Sequence, residues 1–228
     1  NTFLISFYSI LFGMPASVIL ALLLNELKSI AFKKVVQTAI YVPYFISTTI
    51  TVGMVFAMLS PTEGIVNKVL ADLFQMEPIY FMGDPKYFRM IYILSGVWQG
   101  VGFGTIVYLA AITGIDPQLY EACIMDGGGK LKQAWYITLP CIASTIVMLL
   151  ILSIGNMLNV GAEKIIQMYN PLTYETADVF ASYVYRVGLL EGQFSTGMVV
   201  DLFNSIAGLI LLLLANYIAK RFSEHSLW

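Results

Sequence analysis

The acidic residues and glycines that could do chemistry are concentrated in one stretch between two long apolar segments. Glu121 and Asp126 lie in this stretch, and the three glycines of 127–129 follow them. Asp116 can cap a helix that begins with Pro117, because a proline at the first helical position loses no hydrogen bond, and the glycines then end that helix. We predict a short helix, a sharp turn and a second helical stretch.

The predicted helix has an apolar face with acidic side chains beside it. Tyr120, Cys123 and Ile124 recur at helical spacing on one side, and Glu121 and Asp126 are distributed around the rest. A surface of this kind can dock into a groove on a partner protein. The chemistry that these residues indicate is therefore binding.

The sequence offers no catalytic or metal-binding constellation. It has no phosphate-binding GxxxxGK[ST] loop, no GxSxG elbow and no chain of carboxylates or histidines within an apolar segment. His225 is the single histidine, and Cys123 and Cys141 have no partner pattern, so no Cys/His cluster is available for a metal. We expect no enzyme activity, no metal and no cofactor in this chain.

Composition places the chain in a membrane. It is 58% hydrophobic and only 11% charged, where about 25% charge is usual in soluble domains. The formal net charge of −2 excludes the basic footprint of a nucleic-acid-binding protein. We predict an all-α, polytopic transmembrane helix bundle.

Five apolar segments are long enough to cross a hydrocarbon core of about 30 Å at 1.5 Å per residue. Pro15 lies inside the first of them, which argues for a bundle because neighbouring helices must satisfy the freed carbonyl. Glycines at close spacing in 96–104 allow another helix backbone to approach. The predicted spans are residues 3–24, 35–59, 90–112, 141–160 and 197–219, and the loop 113–140 contains the acidic stretch.

The loops between the spans differ in positive charge, which predicts their side of the membrane. Seven of the 12 lysines and arginines lie in the predicted cytosolic segments: Lys28, Lys33, Lys34, Lys130, Lys132, Lys220 and Arg221.

The long outer segment 161–196 is the least regular part of the chain. We predict a turn at Asn170–Pro171, and over 176–190 either a helix along the outer leaflet or a re-entrant helix. Asp201 is the single charge within a span, and access to water at the span's outer end or a bond to Asn204 explains it.

Polar side chains at mid-membrane depth mark a possible substrate pathway, because hydrocarbon makes them costly unless they face the bundle interior. Gln99, Ser153 and Asn156 are such residues, and Trp98 and Phe103 are possible stacking surfaces. Hydrogen bonding between helices is the alternative explanation for each polar residue, since such bonds are common in membrane bundles.

The acidic stretch resembles the coupling loop of permease subunits in ATP-driven, binding-protein-dependent importers, the ABC importers. The family pattern is Glu-Ala-Ala, Asp-Gly-Ala and Ile-x-Leu-Pro, and this chain reads Glu-Ala-Cys at 121–123, Asp-Gly-Gly at 126–128 and Ile-Thr-Leu-Pro at 137–140. Cys123 and Gly128 stand where alanine is usual. The resemblance assigns ATPase coupling to Glu121, Ala122, Cys123, Asp126, Gly127, Leu139 and Pro140.

The resemblance also implies a type I permease fold, partners and a location. The partners are ABC ATPase subunits that bind ATP and Mg, a second permease that is usually a different chain, and an extracytoplasmic solute-binding protein. The location is the bacterial inner membrane. The chain begins at Asn1, so at least one further helix is expected upstream.

The substrate class follows from the branch of the family that the chain resembles. The runs 152–161, 169–172 and 183–189 are similar to permeases for oligosaccharides released from polysaccharides, some of them acidic, and no cation within the spans is an obvious partner for a carboxylate. Peptides or other small solutes are an alternative substrate, and a membrane scaffold without transport is an alternative function. The residues placed where maltose-type permeases contact sugar are Gln99, Gly100, Phe103, Ser153 and Asn156.

Overall fold

The computed structural model describes residues 1–222, and within this range the chain is helical without strands. Three helices are long and apolar enough to cross a membrane, and two further helix pairs pass the same test as bent units. The helices are α1 Thr2–Asn25, α2 Ile30–Tyr41, α3 Thr48–Leu59, α4 Ile65–Phe74, α5 Pro85–Thr113, α6 Pro117–Met125, α7 Lys130–Gln133, α8 Leu139–Cys141, α9 Ala143–Gly155, α10 Ala162–Met168, α11 Tyr174–Ala177, α12 Phe180–Tyr183 and α13 Phe194–Phe222.

The helices α1 and α5 pack against each other and form the centre of the bundle. Two separate apolar cores lie at their opposite ends. One contains Ile5 and Phe88, near the N-termini of both helices. The other contains Leu24 and Ile112, near their C-termini. The loop 113–140 therefore emerges beside the second core, which supports it from one side.

The second predicted span, 35–59, is not one continuous helix. The pair formed by α2 and α3 is bent by 97°. Pro43 sits in a 3₁₀ turn after α2, Ile46 is extended, and the side chain of Ser47 accepts a hydrogen bond from the Ile50 amide at 3.3 Å to start α3. A proline followed by a new N-cap ends one helix and begins another. With 12 residues each, or about 18 Å, neither half crosses a bilayer alone.

The fourth predicted span, 141–160, also has different bounds. A wide π-helical turn over 134–138 leads through α8 into α9, with a 60° bend. The bend lies at Ile142, two residues after Pro140, which cannot donate a backbone hydrogen bond. The helix ends at Gly155, so residues 156–160 are not helical. A Cβ at Gly208 of α13 would lie 3.2 Å from the Gly155 carbonyl oxygen, so these helices cross at small residues.

The outer segment 161–196 is helical over most of its length and packs on the beginning of α5. The predicted turn at Asn170–Pro171 is present, and Asn170 Oδ1 accepts from the Leu172 amide at 2.9 Å. Thr176 Oγ1 donates to the Pro85 carbonyl at 2.8 Å. The helix α12 continues into a π-helical segment over 184–190.

The side chain of Asn204 in α13 donates a hydrogen bond to Asn159 Oδ1 at 3.2 Å. The bond between Asn204 and Asp201 that the sequence suggested is not formed.

The third span begins earlier than predicted. The Asp84 carboxylate accepts from the Lys86 amide at 2.9 Å, and Pro85 opens α5 as its first residue. Within α5, a Cβ at Gly102 would lie 2.6 Å from the carbonyl carbon of Ile40. The absence of a side chain at Gly102 is what allows α2 to approach α5 so closely.

Candidate functional site

The exposed helix α6 is capped at both ends. The Asp116 carboxylate accepts from the Gln118 amide at 2.9 Å, and Pro117 is the first helical residue. At the other end the Gly128 amide donates to the Cys123 carbonyl at 2.7 Å and the Gly127 amide to the Ile124 carbonyl at 3.0 Å. These two bonds form a Schellman motif, which satisfies the last carbonyls of the helix. The predicted helix and turn are therefore confirmed.

Gly127 has φ +74°, a left-handed conformation that glycine adopts without steric cost. A Cβ at this position would meet nothing within 4 Å, so the requirement for glycine is conformational. Gly128 is different. A Cβ there would overlap Cys123 Sγ and lie 2.7 Å from the Cys123 carbonyl oxygen. Cys123 and Gly128, which both stand where the family pattern has alanine, are thus neighbours in space. Cysteine is larger than alanine and glycine is smaller, so the side chain of Cys123 occupies the space that a side chain at 128 would need.

Two side-chain contacts hold α6 and the following turn to the rest of the chain. Tyr120 Oη and Thr138 Oγ1 are 3.0 Å apart, and Thr138 is buried. Lys130 Nζ lies 3.0 Å from Glu26 at the C-terminus of α1. The second contact is solvent-exposed and adds little stability. The buried contact therefore contributes more to the orientation of α6.

The face that α6 presents to solvent differs in part from the predicted one. Tyr120 and Cys123 are half-buried against the chain itself, while Ile124 is 58% exposed. Leu119 and Met125 join Ile124 as exposed apolar residues, and sequence spacing alone did not select them. Of the residues that the resemblance assigns to coupling, Leu139 is half-buried beside the second core. The exposed ones are Glu121, Ala122, Asp126, Gly127 and Pro140. Apolar side chains with acids beside them form a surface suited to docking.

A cleft of about 610 Å³ runs along α5 between α1 and α9. Its lining extends from Tyr92 to Tyr108, which is about 24 Å along the helix axis at 1.5 Å per residue. Polar groups from all three helices face it, including Ser9 and Ser17 of α1. The predicted pathway residues Gln99, Gly100, Phe103 and Ser153 line this cleft.

The other two pathway residues lie elsewhere. Asn156 lines an adjoining cavity of about 220 Å³, which shares Ser9, Tyr92 and Ser153 with the cleft. Trp98 is outside the lining of both and is 44% exposed. The structure therefore brings five of the six residues to two adjoining spaces and separates Trp98 from them.

Several of these polar groups also make hydrogen bonds within the bundle. Ser153 Oγ donates to the Leu149 carbonyl at 2.7 Å, and Asn156 Nδ2 donates to the Leu152 carbonyl at 3.1 Å. The first bond lies within α9 and the second joins the C-cap residue to the last turn of α9, so neither bond links two helices. Phe103 stacks on Tyr44 with ring centroids 4.0 Å apart, which leaves one ring face for other contacts.

A lysine that the sequence did not single out also lines the cleft. Lys164 of α10 is 8% exposed, and its Nζ donates to the Tyr92 carbonyl at 3.2 Å. Burial lowers the pKa of Lys164 to about 8, because the charged form is desolvated. Lys164 lies in the outer segment, outside every predicted span. Sequence position alone carried no signal for its place in the cleft.

The described residues 1–222 contain no group of three or more His, Cys, Asp or Glu side chains arranged to hold a metal. Cys123 and Cys141 are free thiols. His225 lies outside the described residues. Within 1–222 the chain has an exposed surface with apolar and acidic side chains at one end and a polar cleft along the bundle.

A bundle of apolar helices with these two features is the architecture of a membrane transport permease. The chain belongs to the family of binding-protein-dependent transport system inner membrane components, whose family model matches residues 13–225. It is thus a multi-pass inner-membrane permease subunit of an ABC-type importer, and the predicted family, all-α fold and location are confirmed.

Similar proteins include two from Bacillus subtilis (strain 168), each aligned over 228 residues, which is 100% of this chain and 71% of the relative. Protein LplB is 44% identical, and the polygalacturonan/rhamnogalacturonan transport system permease protein YteP is 45% identical. A solved structure, a bacterial alginate ABC transporter in complex with alginate pentasaccharide-bound periplasmic protein, matches with a TM-score of 0.94 and 43% identity. That match covers 100% of this chain and 78% of the other.

Proposed function

We propose that this chain is the permease half of an importer that moves oligosaccharides, including acidic polysaccharide fragments, across the inner membrane. The observation that carries the proposal is the exposed helix α6, which is capped at both ends and held by the buried contact of Tyr120 with Thr138. A fixed, exposed helix is suited to transmit movement from a partner. The names of YteP and the alginate transporter support the substrate class.

Coupling to an ATPase would use the solvent-facing side of α6. Glu121, Ala122 and Asp126 are exposed on it and would contact a cleft on the ATPase. Cys123 would act from inside, by packing against the turn at Gly128. Gly127 would let the chain reverse directly after the docking helix, and Leu139 and Pro140 would connect the loop to the bundle.

The chain would work as a non-catalytic subunit within a larger assembly. ATP and Mg would bind to two ATPase subunits, and this chain would itself carry no cofactor. A second permease, usually a different chain in this branch, would complete the pathway, and an extracytoplasmic binding protein would deliver the substrate. Many apolar side chains of α13 are exposed, which is suited to contact with lipid or with the second permease.

The cleft along α5 would be this chain's share of the substrate pathway. Gln99, Ser153 and Asn156 provide polar atoms, and Phe103 provides an aromatic surface on which a sugar ring can stack. Gly100 has open space where a side chain would be, which widens the cleft at its middle. Trp98 would contribute only if the second permease brings substrate to it.

Affinity purification from the native membrane in mild detergent tests this function. The expected result is recovery of an ATPase and a second permease, identified by mass spectrometry, with the ATPase lost when Glu121 and Gly127 are replaced. Substrate-stimulated ATP hydrolysis by the recovered complex then separates oligosaccharides from peptides. Absence of an ATPase, under conditions that preserve other membrane complexes, would contradict the proposal and favour a scaffold role.

A further inference from the structure

Lys164 is a buried cation at the wall of the cleft. It is 8% exposed, although a lysine is almost never buried without a partner. Its ammonium has three hydrogens to donate. One goes to the Tyr92 carbonyl at 3.2 Å, and Nζ also lies 4.8 Å from the centre of the Tyr92 ring. Among residues 1–222 no other acceptor is hydrogen-bonded to the ammonium, which leaves donors available.

No carboxylate compensates this charge within the described residues. The ion pairs there are Lys130 with Glu26 and Arg186 with Asp178. The neighbouring acid Glu163 is exposed and accepts from Gln167 Nε2 at 3.3 Å. A buried charge is costly unless an opposite charge or several hydrogen bonds meet it. The environment of Lys164 is therefore incomplete without an anionic or strongly accepting group.

The neighbouring helices supply no such group among the described residues. The helices α3 and α12 pack against α10, and α3 has no titratable residue while α12 contributes the phenol of Tyr183. The helix α5 meets Lys164 through Tyr92, which contributes a phenol. Neither residue provides a carboxylate. The free donors of Lys164 thus have room for an acceptor only from the cleft side.

The surface beside Lys164 is shaped to admit a ligand. A Cβ at Gly96 would lie 3.4 Å from Lys164 Nζ, so glycine leaves the ammonium accessible along α5. One turn further, Gly100 has nothing within 4 Å of its Cβ position. Both glycines line the same cleft as Lys164. The two glycines thus leave a strip of bare backbone between Lys164 and the middle of the cleft, along which a chain of sugar rings can pass.

Lys164 also lies at the end of the cleft where substrate would arrive. Tyr92, its partner, is about 10 Å along α5 from Pro85, and this end of α5 is opposite to the docking helix α6. The distribution of lysines and arginines predicts that this end faces outward. A group bound here is met before the rest of the cleft.

We propose that Lys164 binds a carboxylate of an acidic sugar unit at the outer end of the cleft, and so favours uronate-containing over neutral oligosaccharides. This inference rests on the proposed function. The ammonium is a compact charge that can pair with a carboxylate while keeping its bond to the Tyr92 carbonyl. A neutral sugar would leave that charge without compensation.

The test uses the complete importer in proteoliposomes, with its binding protein loaded to saturation. Uptake is measured for trigalacturonate and for its methyl ester, which has the same rings without the negative charges. Lys164→Gln removes the charge but keeps a donor for the Tyr92 carbonyl, Lys164→Arg keeps the charge, and Lys68→Gln changes an exposed lysine of α4 as the matched control. The same binding protein serves all variants, so its own preference cancels.

We expect Lys164→Gln to lower the preference for trigalacturonate over its ester about tenfold, while Lys164→Arg and Lys68→Gln keep most of it. An equal loss of both substrates in Lys164→Gln would indicate a structural role and overturn the proposal, as would an unchanged preference. If the wild-type importer moves neither trimer, the proposal for Lys164 is wrong, whereas the proposed function fails only if the purified chain also lacks an ATPase partner.

Discussion

Gln99 Nε2 donates a hydrogen bond to the Ile46 carbonyl oxygen at 2.9 Å. This bond joins the middle of α5 to the break between α2 and α3, where the carbonyl of an extended residue has no partner within a helix. One side chain thus lines the cleft and also stabilises the 97° bend. Hydrogen bonding between helices, the alternative considered for the polar residues, applies to Gln99.

Replacing Gln99 by leucine should destabilise the bundle, because the part-buried Ile46 carbonyl loses its donor. Loss of such a hydrogen bond costs about 1 kcal/mol. The measurement is thermal unfolding of the purified complex in detergent, with Gln193→Leu at an exposed position as the control. Equal melting temperatures for Gln99→Leu and the control would contradict this role.

Substitutions at Gly100 and Gly102 should have opposite consequences, although both lie on α5. Gly102→Ala should prevent normal packing, because the new Cβ would meet the backbone of Ile40. Gly100→Leu should fold and assemble, since nothing lies within 4 Å of its Cβ position, and should reduce uptake by narrowing the cleft. Assembly by size-exclusion chromatography and uptake in proteoliposomes distinguish the two effects. Normal uptake by Gly100→Leu would exclude this cleft as the pathway.

Gly127→Val should leave membrane insertion intact and uncouple ATP hydrolysis from transport. A branched side chain at φ +74° is strained by roughly 1–2 kcal/mol, so the turn after α6 would change. Gly129→Val is the matched control, because Gly129 has φ −79° and open space around its Cβ position. The readout is substrate uptake in proteoliposomes, measured beside ATP hydrolysis. Normal uptake by Gly127→Val, or an equal loss of uptake in Gly129→Val, would be evidence against the assigned turn.

Preference for an acidic substrate should decrease as the outer pH rises through about 8. The pKa of Lys164 is lowered to about 8 by burial, so the ammonium is charged below this pH and neutral above it. The uronate carboxylate has a pKa near 4 and stays ionised throughout. The measurement is the uptake of trigalacturonate relative to that of its methyl ester from pH 7 to 9, in assays that last on the order of minutes. This ratio reports the loss of charge on Lys164.

Lys164→Arg supplies the control for this pH effect. Arginine stays protonated over the whole range, so the preference of this variant should be independent of pH. A parallel decline in wild type and Lys164→Arg would assign the pH dependence to another group. A flat profile in the wild type would contradict a role for Lys164 as the titrating group.

Most of α6 could be predicted from the sequence because its determinants are local. Asp116 and Pro117 start the helix and the glycines of 127–129 end it, all within one short segment. The exposed side of α6 could not be predicted in full. Whether Tyr120 faces inward depends on Thr138, which follows it by 18 positions and reaches it only through the π-helical turn.

The apolar segments also predicted the membrane class correctly, but they did not predict the bends. Hydrophobicity over 35–59 is continuous, while the break depends on Pro43 and on a donor from Gln99. A carbonyl released by a bend inside a membrane needs a partner from elsewhere in the bundle. That partner is 53 positions away, so no local pattern indicates it.

The sequence by itself determined three properties: the membrane class, the capped helix α6 with its glycine turn, and the family. Each of them depends on residue types or on their spacing within short segments. Only the tertiary structure decided what lines the cleft. It placed Gln99 and Ser153 there, left Trp98 outside, and brought Lys164 to Tyr92 across 72 positions. The physical reason is that a buried charge and a shared cleft depend on which helices pack together, and packing is a property of the whole bundle.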